Sequence, residues 1–182
     1  MGTLAYGGVY CDTDVTILRK IEGSIDNDFV CGIENFLITS DQMKYMTIDG
    51  LDKRTGKIIS GFGMQTGFMY SEPHNIFVKY CMNTVYGDGQ RPFINDDGTL
   101  NTIIIDGAMI LAIKEFGFKF QDTTQRLHSG ITIYNSSVYA FPATKNDKSY
   151  VVHWYDQSWQ ELKGIPKLKR AVKKLFYFLF RH

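Results

Sequence analysis

The most constraining stretch of this chain is Tyr6-Gly-Gly-Val-Tyr-Cys-Asp-Thr-Asp-Val15. The Gly7-Gly8 pair lets the backbone turn into Val9-Tyr10-Cys11, which reads as the end of a short buried strand. That strand runs straight into two acids. Successive strand residues point to opposite faces, so Asp12 and Asp14 are expected on one side, about 7 Å apart along the strand. Open α/β sheets bind ligands just beyond the carboxyl ends of their strands. Two carboxylates that close repel unless a cation or a donor lies between them. A divalent hard metal, shared with substrate phosphates, satisfies that condition. Turn or N-cap acids satisfy the same spacing, because Asp-x-Asp by itself is a common tripeptide.

The rest of the chain alternates strand and helix signals. Val15 to Ile21 continues extended or as a turn, and Asp28 to Ile33 predicts a second strand. Tyr45–Ile48 and Lys57–Ser60 predict a β-hairpin around a turn-rich stretch, and Gly61, Gly63 and Gly67 predict a loop. Pro73 suits a first helical turn, and Ile76, Tyr80 and Val85 predict one helix face running up to Gly87. A polar loop spans Gly87 to Gly98. Ala108 to Phe116 predicts a short helix with Asp106 near its N-terminus. Ile131–Tyr134, Val138–Phe141 and Tyr150–His153 predict strands, and Pro166–Phe180 a last helix. No repeat, low-complexity tract or linker interrupts the series, so the fold class is α/β.

Composition excludes several classes. Hydrophobic residues at 44% and charged residues at 21% rule out a disordered or collagen-like chain. A net charge of +1 argues against a surface built to grip nucleic acid. The longest apolar run, Leu175 to Phe180, is far short of a membrane span, and the first residues carry no basic, apolar leader pattern. Cys11, Cys31 and Cys81 are odd in number and lack a Cys-x-x-Cys pair. They read as small buried apolar residues in a reducing cytosol rather than as a disulfide framework or a thiolate zinc site.

A second chemical signal is Tyr150-Val-Val-His-Trp-Tyr-Asp-Gln-Ser-Trp159. His153 ends an apolar strand, and its imidazole is suited to complete a coordination sphere begun by carboxylates. The Ser158 hydroxyl and the Trp159 indole N–H are both donors for a phosphate oxygen. A packed tryptophan beside a hydrogen-bonded histidine is the competing explanation.

Together these segments resemble the bacterial glycosyltransferases with a DXD sugar-binding region, the family 32 type of capsular and other surface polysaccharide synthesis. Tyr-Gly-Gly-Val-Tyr-Cys-Asp-Thr-Asp-Val at the start and His-x-x-x-x-Ser-Trp near the end carry the resemblance. Gly32-Ile33-Glu34-Asn35 is similar to the segment that follows the DXD in such proteins, and Ile131-Thr-Ile-Tyr with Phe141-Pro142 resembles the strand before the final histidine.

The resemblance implies a GT-A fold and a metal-dependent reaction of a UDP- or GDP-sugar with a glycan or lipid-linked acceptor. It implies that Asp12 and Asp14 are the catalytic acids, with Asp14 binding Mn²⁺ or Mg²⁺ and Asp12 holding the ribose and the metal shell. His153 becomes a third metal ligand, Tyr10 lines the nucleotide site, and Ser158 and Trp159 touch the diphosphate. Anomeric configuration is expected to be retained. Asp106 stands where relatives start a helix, as an N-cap or as a contact to a sugar hydroxyl.

The family places a strand and a helix bearing an Asp and an Arg ahead of Tyr-Gly-Gly, whereas five residues precede Tyr6 here. The chain is therefore expected to be the C-terminal part of a GT-A domain over residues 1–165, incomplete at its N-terminus. A catalytically inactive sugar- or metal-binding remnant is the alternative.

Residues 160–182 carry Lys163, Lys167, Lys169, Arg170, Lys173, Lys174 and Arg181 against Glu161 alone, so the remaining body is net acidic. As a helix, residues 166–182 gather Leu168, Val172, Leu175 and Leu179 on one arc and cations on the other. That pattern fits peripheral contact with an anionic membrane at its cytoplasmic face. It fits equally a terminal helix packed on the domain. No nucleic-acid motif accompanies the basic tail.

Overall fold

In the computed structural model, which describes residues 5–86, 97 and 105–155, the chain forms a mixed α/β structure of two sheets and two helices. The strands are β1 (Gly8–Cys11), β2 (Val15–Ile17), β3 (Phe29–Asn35), β4 (Phe62–Ser71), β5 (Gln125–Leu127), β6 (Ile131–Tyr134), β7 (Tyr139–Ala140) and β8 (Val151–His153). The helices are α1 (Ile76–Tyr86) and α2 (Ile105–Lys114). A five-stranded sheet runs in the order β1-β4-β3-β6-β5, and a three-stranded sheet in the order β2-β8-β7. Within the large sheet only β3 and β6 are parallel; in the small sheet β7 and β8 are.

β3 sits at the centre because both of its faces are apolar. Phe29, Cys31 and Ile33 point into one core with Met64, Ile131 and Ile133, where Phe77 of α1 and Met109, Ala112 and Ile113 of α2 cover them. Val30 points the other way, into a second core with Phe68, Tyr139 and Val151 that joins the two sheets. The layers are thus helices, large sheet, small sheet. A strand covered on both sides reads as a continuous apolar run, as Phe-Val-Cys-Gly-Ile does.

β4 corrects the expectation of a glycine-rich loop: Phe62–Ser71 is a ten-residue strand. Its register against β3 jumps from Cys31↔Met69 to Gly32↔Gln65, which leaves residues 66–68 bulged out. An odd number of extra residues exchanges the two faces of a strand. Phe62 and Met64 face the helices before the bulge, and Met69 faces them after it, while Phe68 and Tyr70 turn toward the small sheet. Glycine inside an apolar strand commonly marks such a bulge.

Other expectations shift as well. β1 lies at the edge of the large sheet and is exposed throughout, not buried, so Cys11 is exposed rather than a core residue. Cys31 is buried and Cys81 half-buried. Gly7 turns into β1 with φ 67°, and a Cβ there would stand 2.6 Å from Pro73 Cδ and 2.8 Å from the Ser71 carbonyl. The hairpin over 45–60 is replaced by a short 3₁₀ helix, Asp41–Tyr45, and two isolated bridges, Met46↔Asp52 and Leu51↔Ile58.

α1 begins at Ile76, not at Pro73, because the Asn75 side chain caps it by accepting from the Phe77 and Val78 N–H groups. Its core face is Phe77, Val78 and Cys81. Ile76 and Tyr80 stay exposed. The edge-on packing of Phe77 against Phe29 and Phe116 decides that phase. α2 is described from Ile105, so Asp106 lies within the helix rather than ahead of it. The basic tail 166–182 falls outside the described residues, and no helix among those described is long and apolar enough to cross a membrane.

Candidate metal centre

The large sheet ends at Cys11 and the small sheet begins at Val15, and the turn between them carries both acids. Asp12 and Asp14 are therefore not on a strand face, as the alternation argument expected. They are brought together by the turn itself, closed by the Val15 N–H donating to the Asp12 carbonyl at 3.2 Å. The Asp12 N–H donates to the Gly67 carbonyl on the β4 bulge at 2.8 Å. The Trp154 N–H donates to the Asp14 carbonyl at 3.0 Å, and the Trp154 indole N–H donates to the Thr16 hydroxyl at 2.8 Å.

Pairing of Val15 with His153 in the small sheet delivers the histidine to the same turn. Its Nε2 lies 3.2 Å from Asp14 Oδ1 and 3.6 Å from Asp12 Oδ2. One donor atom from each of the three side chains falls within 4.8 Å of the others. His153 is buried, Asp14 half-buried and Asp12 at the rim. Neighbouring donors around a small octahedral cation at bond lengths of about 2.1 Å stand about 3 Å apart, close to the spacings seen here. Two carboxylate oxygens and one imidazole nitrogen suit Mn²⁺ better than a soft metal that asks for thiolates. The residues present fit a divalent cation.

Tyr10 joins from the edge strand. Its hydroxyl donates to Asp12 Oδ1 at 2.6 Å, leaving Oδ2 turned toward His153. That hydrogen bond, partial burial and the nearby carboxylates of Asp12 and Asp14 push the phenol up to about 12. Tyr10 is thus a fixed donor to Asp12, with its ring nearly half exposed. The Cys11 thiol is also raised, first by burial and then by the same two acids.

Sequence reasoning missed three residues that build this site. Gly67 faces the imidazole so closely that a Cβ would stand 2.5 Å from Cε1 of His153 and 2.9 Å from Cγ. Tyr155 covers the imidazole with ring centroids 3.8 Å apart and planes 32° apart. Glu34, noted only as part of a motif, accepts from the Tyr155 hydroxyl at 2.8 Å. The one available signal was Gly67 itself, a glycine within an alternating apolar run. Ser158 and Trp159 lie outside the described residues, as does the side chain of Asp106. α2, which carries Asp106, packs on the helix-covered face of the large sheet, whereas β8, which carries His153, belongs to the small sheet behind it.

Compared with known protein families, curated proteins and solved structures, the chain finds no match among any of them.

Proposed function

We propose that this protein is a metal-dependent glycosyltransferase, or the C-terminal part of one, with a GT-A-type fold, using a UDP- or GDP-sugar and a glycan or lipid-linked acceptor of surface polysaccharide synthesis. The observation that carries this reading is the meeting of Asp12 and Asp14 with His153. The two segments lie far apart in sequence, and each carries metal-ligand chemistry of its own. Asp14 and His153 hold the cation, and Asp12 presents Oδ2 to its shell while Tyr10 restrains Oδ1. When bound, Mn²⁺ or Mg²⁺ supplies Lewis-acid stabilisation of the negative charge that builds on the departing diphosphate. Ser158 and Trp159 are proposed as donors to the same diphosphate, whereas α2, which carries Asp106, packs on the other face of the large sheet, so no sugar contact is proposed for Asp106. The basic tail 166–182 holds the enzyme at the cytoplasmic face of an anionic membrane, close to a lipid-linked acceptor.

Titration calorimetry with UDP- and GDP-sugars, with and without Mn²⁺, tests the reading, followed by a donor-hydrolysis assay. Donor binding that needs Mn²⁺, is lost in Asp14→Asn and is weakened in Asp12→Asn supports it. Equal Mn²⁺-stimulated binding in wild type and Asp14→Asn overturns the metal assignment. Binding with no hydrolysis or transfer under any donor favours the catalytically inactive sugar- or metal-binding remnant over an active enzyme.

A further inference from the structure

We propose that Tyr155 is a positioning residue for His153: its ring clamps the imidazole against Gly67 and so aims Nε2 at the two carboxylates. The proposal rests on the metal-dependent reading above.

Among the described residues, His153 lacks the usual support of a ligating histidine. Such a residue is normally oriented by a hydrogen bond from its other ring nitrogen to a carboxylate or carbonyl. Here Nδ1 of His153 is buried and has no hydrogen-bond partner among the described residues. Rotation of an imidazole about its last side-chain bond is otherwise broad. Nε2 lies 3.2 Å from Asp14 Oδ1 and 3.6 Å from Asp12 Oδ2, but a cation held there would take the Nε2 lone pair, so in the loaded site neither ring nitrogen donates a hydrogen bond that sets the ring plane.

Two flat surfaces do. Gly67 presents bare backbone on one side, close enough that any Cβ would strike Cε1 and Cγ. Tyr155 lies over the imidazole at a centroid distance of 3.8 Å. The tyrosine is itself held. Its hydroxyl donates to Glu34 Oε2 at 2.8 Å, and Phe36 and Phe141 meet it edge-on at 5.0 and 6.4 Å. Its backbone sits at φ 52°, a left-handed conformation that a non-glycine residue rarely adopts. Backbone strain of this kind persists where the surroundings over-determine it, and it concentrates at functional sites.

The test is a Mn²⁺ titration of the full chain followed by electron paramagnetic resonance, with the visible spectrum of the Co²⁺-loaded protein as a second readout. Tyr155→Leu and Tyr155→Phe are each made in the wild-type and the His153→Ala backgrounds. Loss of the ring is expected to weaken Mn²⁺ binding about tenfold, the low end for groups that orient a metal ligand, and to shift the Co²⁺ bands. Loss of the hydroxyl alone moves both readouts less, in the same direction. Both effects vanish in His153→Ala, because Tyr155 acts through that ring; a merely structural role would weaken binding in either background. If Tyr155→Leu does not fold, Tyr155→Phe carries the same two-background comparison. The proposal is overturned if both variants leave affinity and spectrum unchanged, or weaken binding as much without His153 as with it. Absence of Mn²⁺ binding by the wild type overturns the metal reading itself, a result separate from either of these.

Discussion

Gly67 and His153 meet so closely that no side chain fits between them. The bulge in β4 makes this contact: it removes residues 66–68 from the β3 ladder, gives the Gly67 carbonyl to the Asp12 N–H and turns the glycine Cα toward the imidazole. The smallest substitution, Gly67→Ala, must therefore displace either the ring or the strand. Overpacking of this kind costs about 1–3 kcal/mol. The variant is expected to melt earlier than wild type and also to lose Mn²⁺ affinity. A variant with wild-type melting and wild-type affinity would show that the ring moves aside freely.

The proposed donor set predicts a metal preference. Carboxylates serve Mg²⁺ and Mn²⁺ alike, but imidazole favours the transition ion. Mn²⁺ is expected to bind more tightly than Mg²⁺, and His153→Ala should narrow that gap by lowering Mn²⁺ affinity at least about tenfold with a smaller effect on Mg²⁺. Calorimetric titration of both ions into both proteins measures it. An unchanged Mn²⁺-to-Mg²⁺ ratio in His153→Ala would remove the histidine from the coordination sphere.

The parts of this site legible in sequence are those where the chemistry is local. Asp-Thr-Asp after an apolar strand, and a histidine at the end of another, stand out by residue type alone, and the pairing of Val15 with His153 unites them. The geometry that unites them was not legible. Strand alternation gave the right neighbours for a wrong reason, since Asp12 and Asp14 belong to a turn between two sheets. Gly61, Gly63 and Gly67 suggested a loop because glycine lacks strand propensity. The apolar neighbours Phe62, Met64, Phe68 and Met69 overrode that propensity through burial on both faces. The phase of α1 was off by one residue because Ile76 and Phe77 are equally apolar; only the aromatic partners Phe29 and Phe116 choose between them. Tyr155 left no trace, because its role depends on a backbone conformation and on Glu34, far away in sequence.

Beyond the candidate metal centre, Asp122 ties the end of β3 to the turn after β6. Its carboxylate accepts from Asn35 Nδ2 at 2.8 Å, from the Ser136 N–H at 2.7 Å and from the Ser136 hydroxyl at 2.6 Å. Asn35 and Ser136 are buried, so Asp122→Ala strands donors that water does not reach. The expected loss is about 3 kcal/mol, the scale for unpaired buried donors that had a charged partner. Asp122→Asn, which keeps one acceptor oxygen, should lose less. Chemical denaturation of the three proteins gives the ranking, and equal stability of Asp122→Ala and wild type would show that the network contributes nothing net.

One acid-sensitive contact lies in the segment between β3 and β4. Asp52 accepts from the Arg54 N–H at 2.8 Å, from Arg54 Nε at 3.0 Å and from Arg54 Nη2 at 2.6 Å, and Arg54 in turn lies over the Tyr45 ring at 3.9 Å. The Arg54 side-chain hydrogen bonds, followed by that from its backbone N–H, hold the Asp52 carboxyl down at about 2. In the unfolded chain an aspartate titrates near 4. A carboxyl whose folded value is depressed contributes its stability in full above the unfolded value and loses it as pH falls toward the folded one. The melting-temperature difference between wild type and Asp52→Asn is therefore expected to be constant above about pH 5 and to close between about pH 4 and pH 2. Thermal melts of both proteins across that range read it directly. A gap that stays constant down to pH 2 would mean that Asp52 keeps its turn by shape and neutral hydrogen bonding, with no contribution from the charge it shares with Arg54.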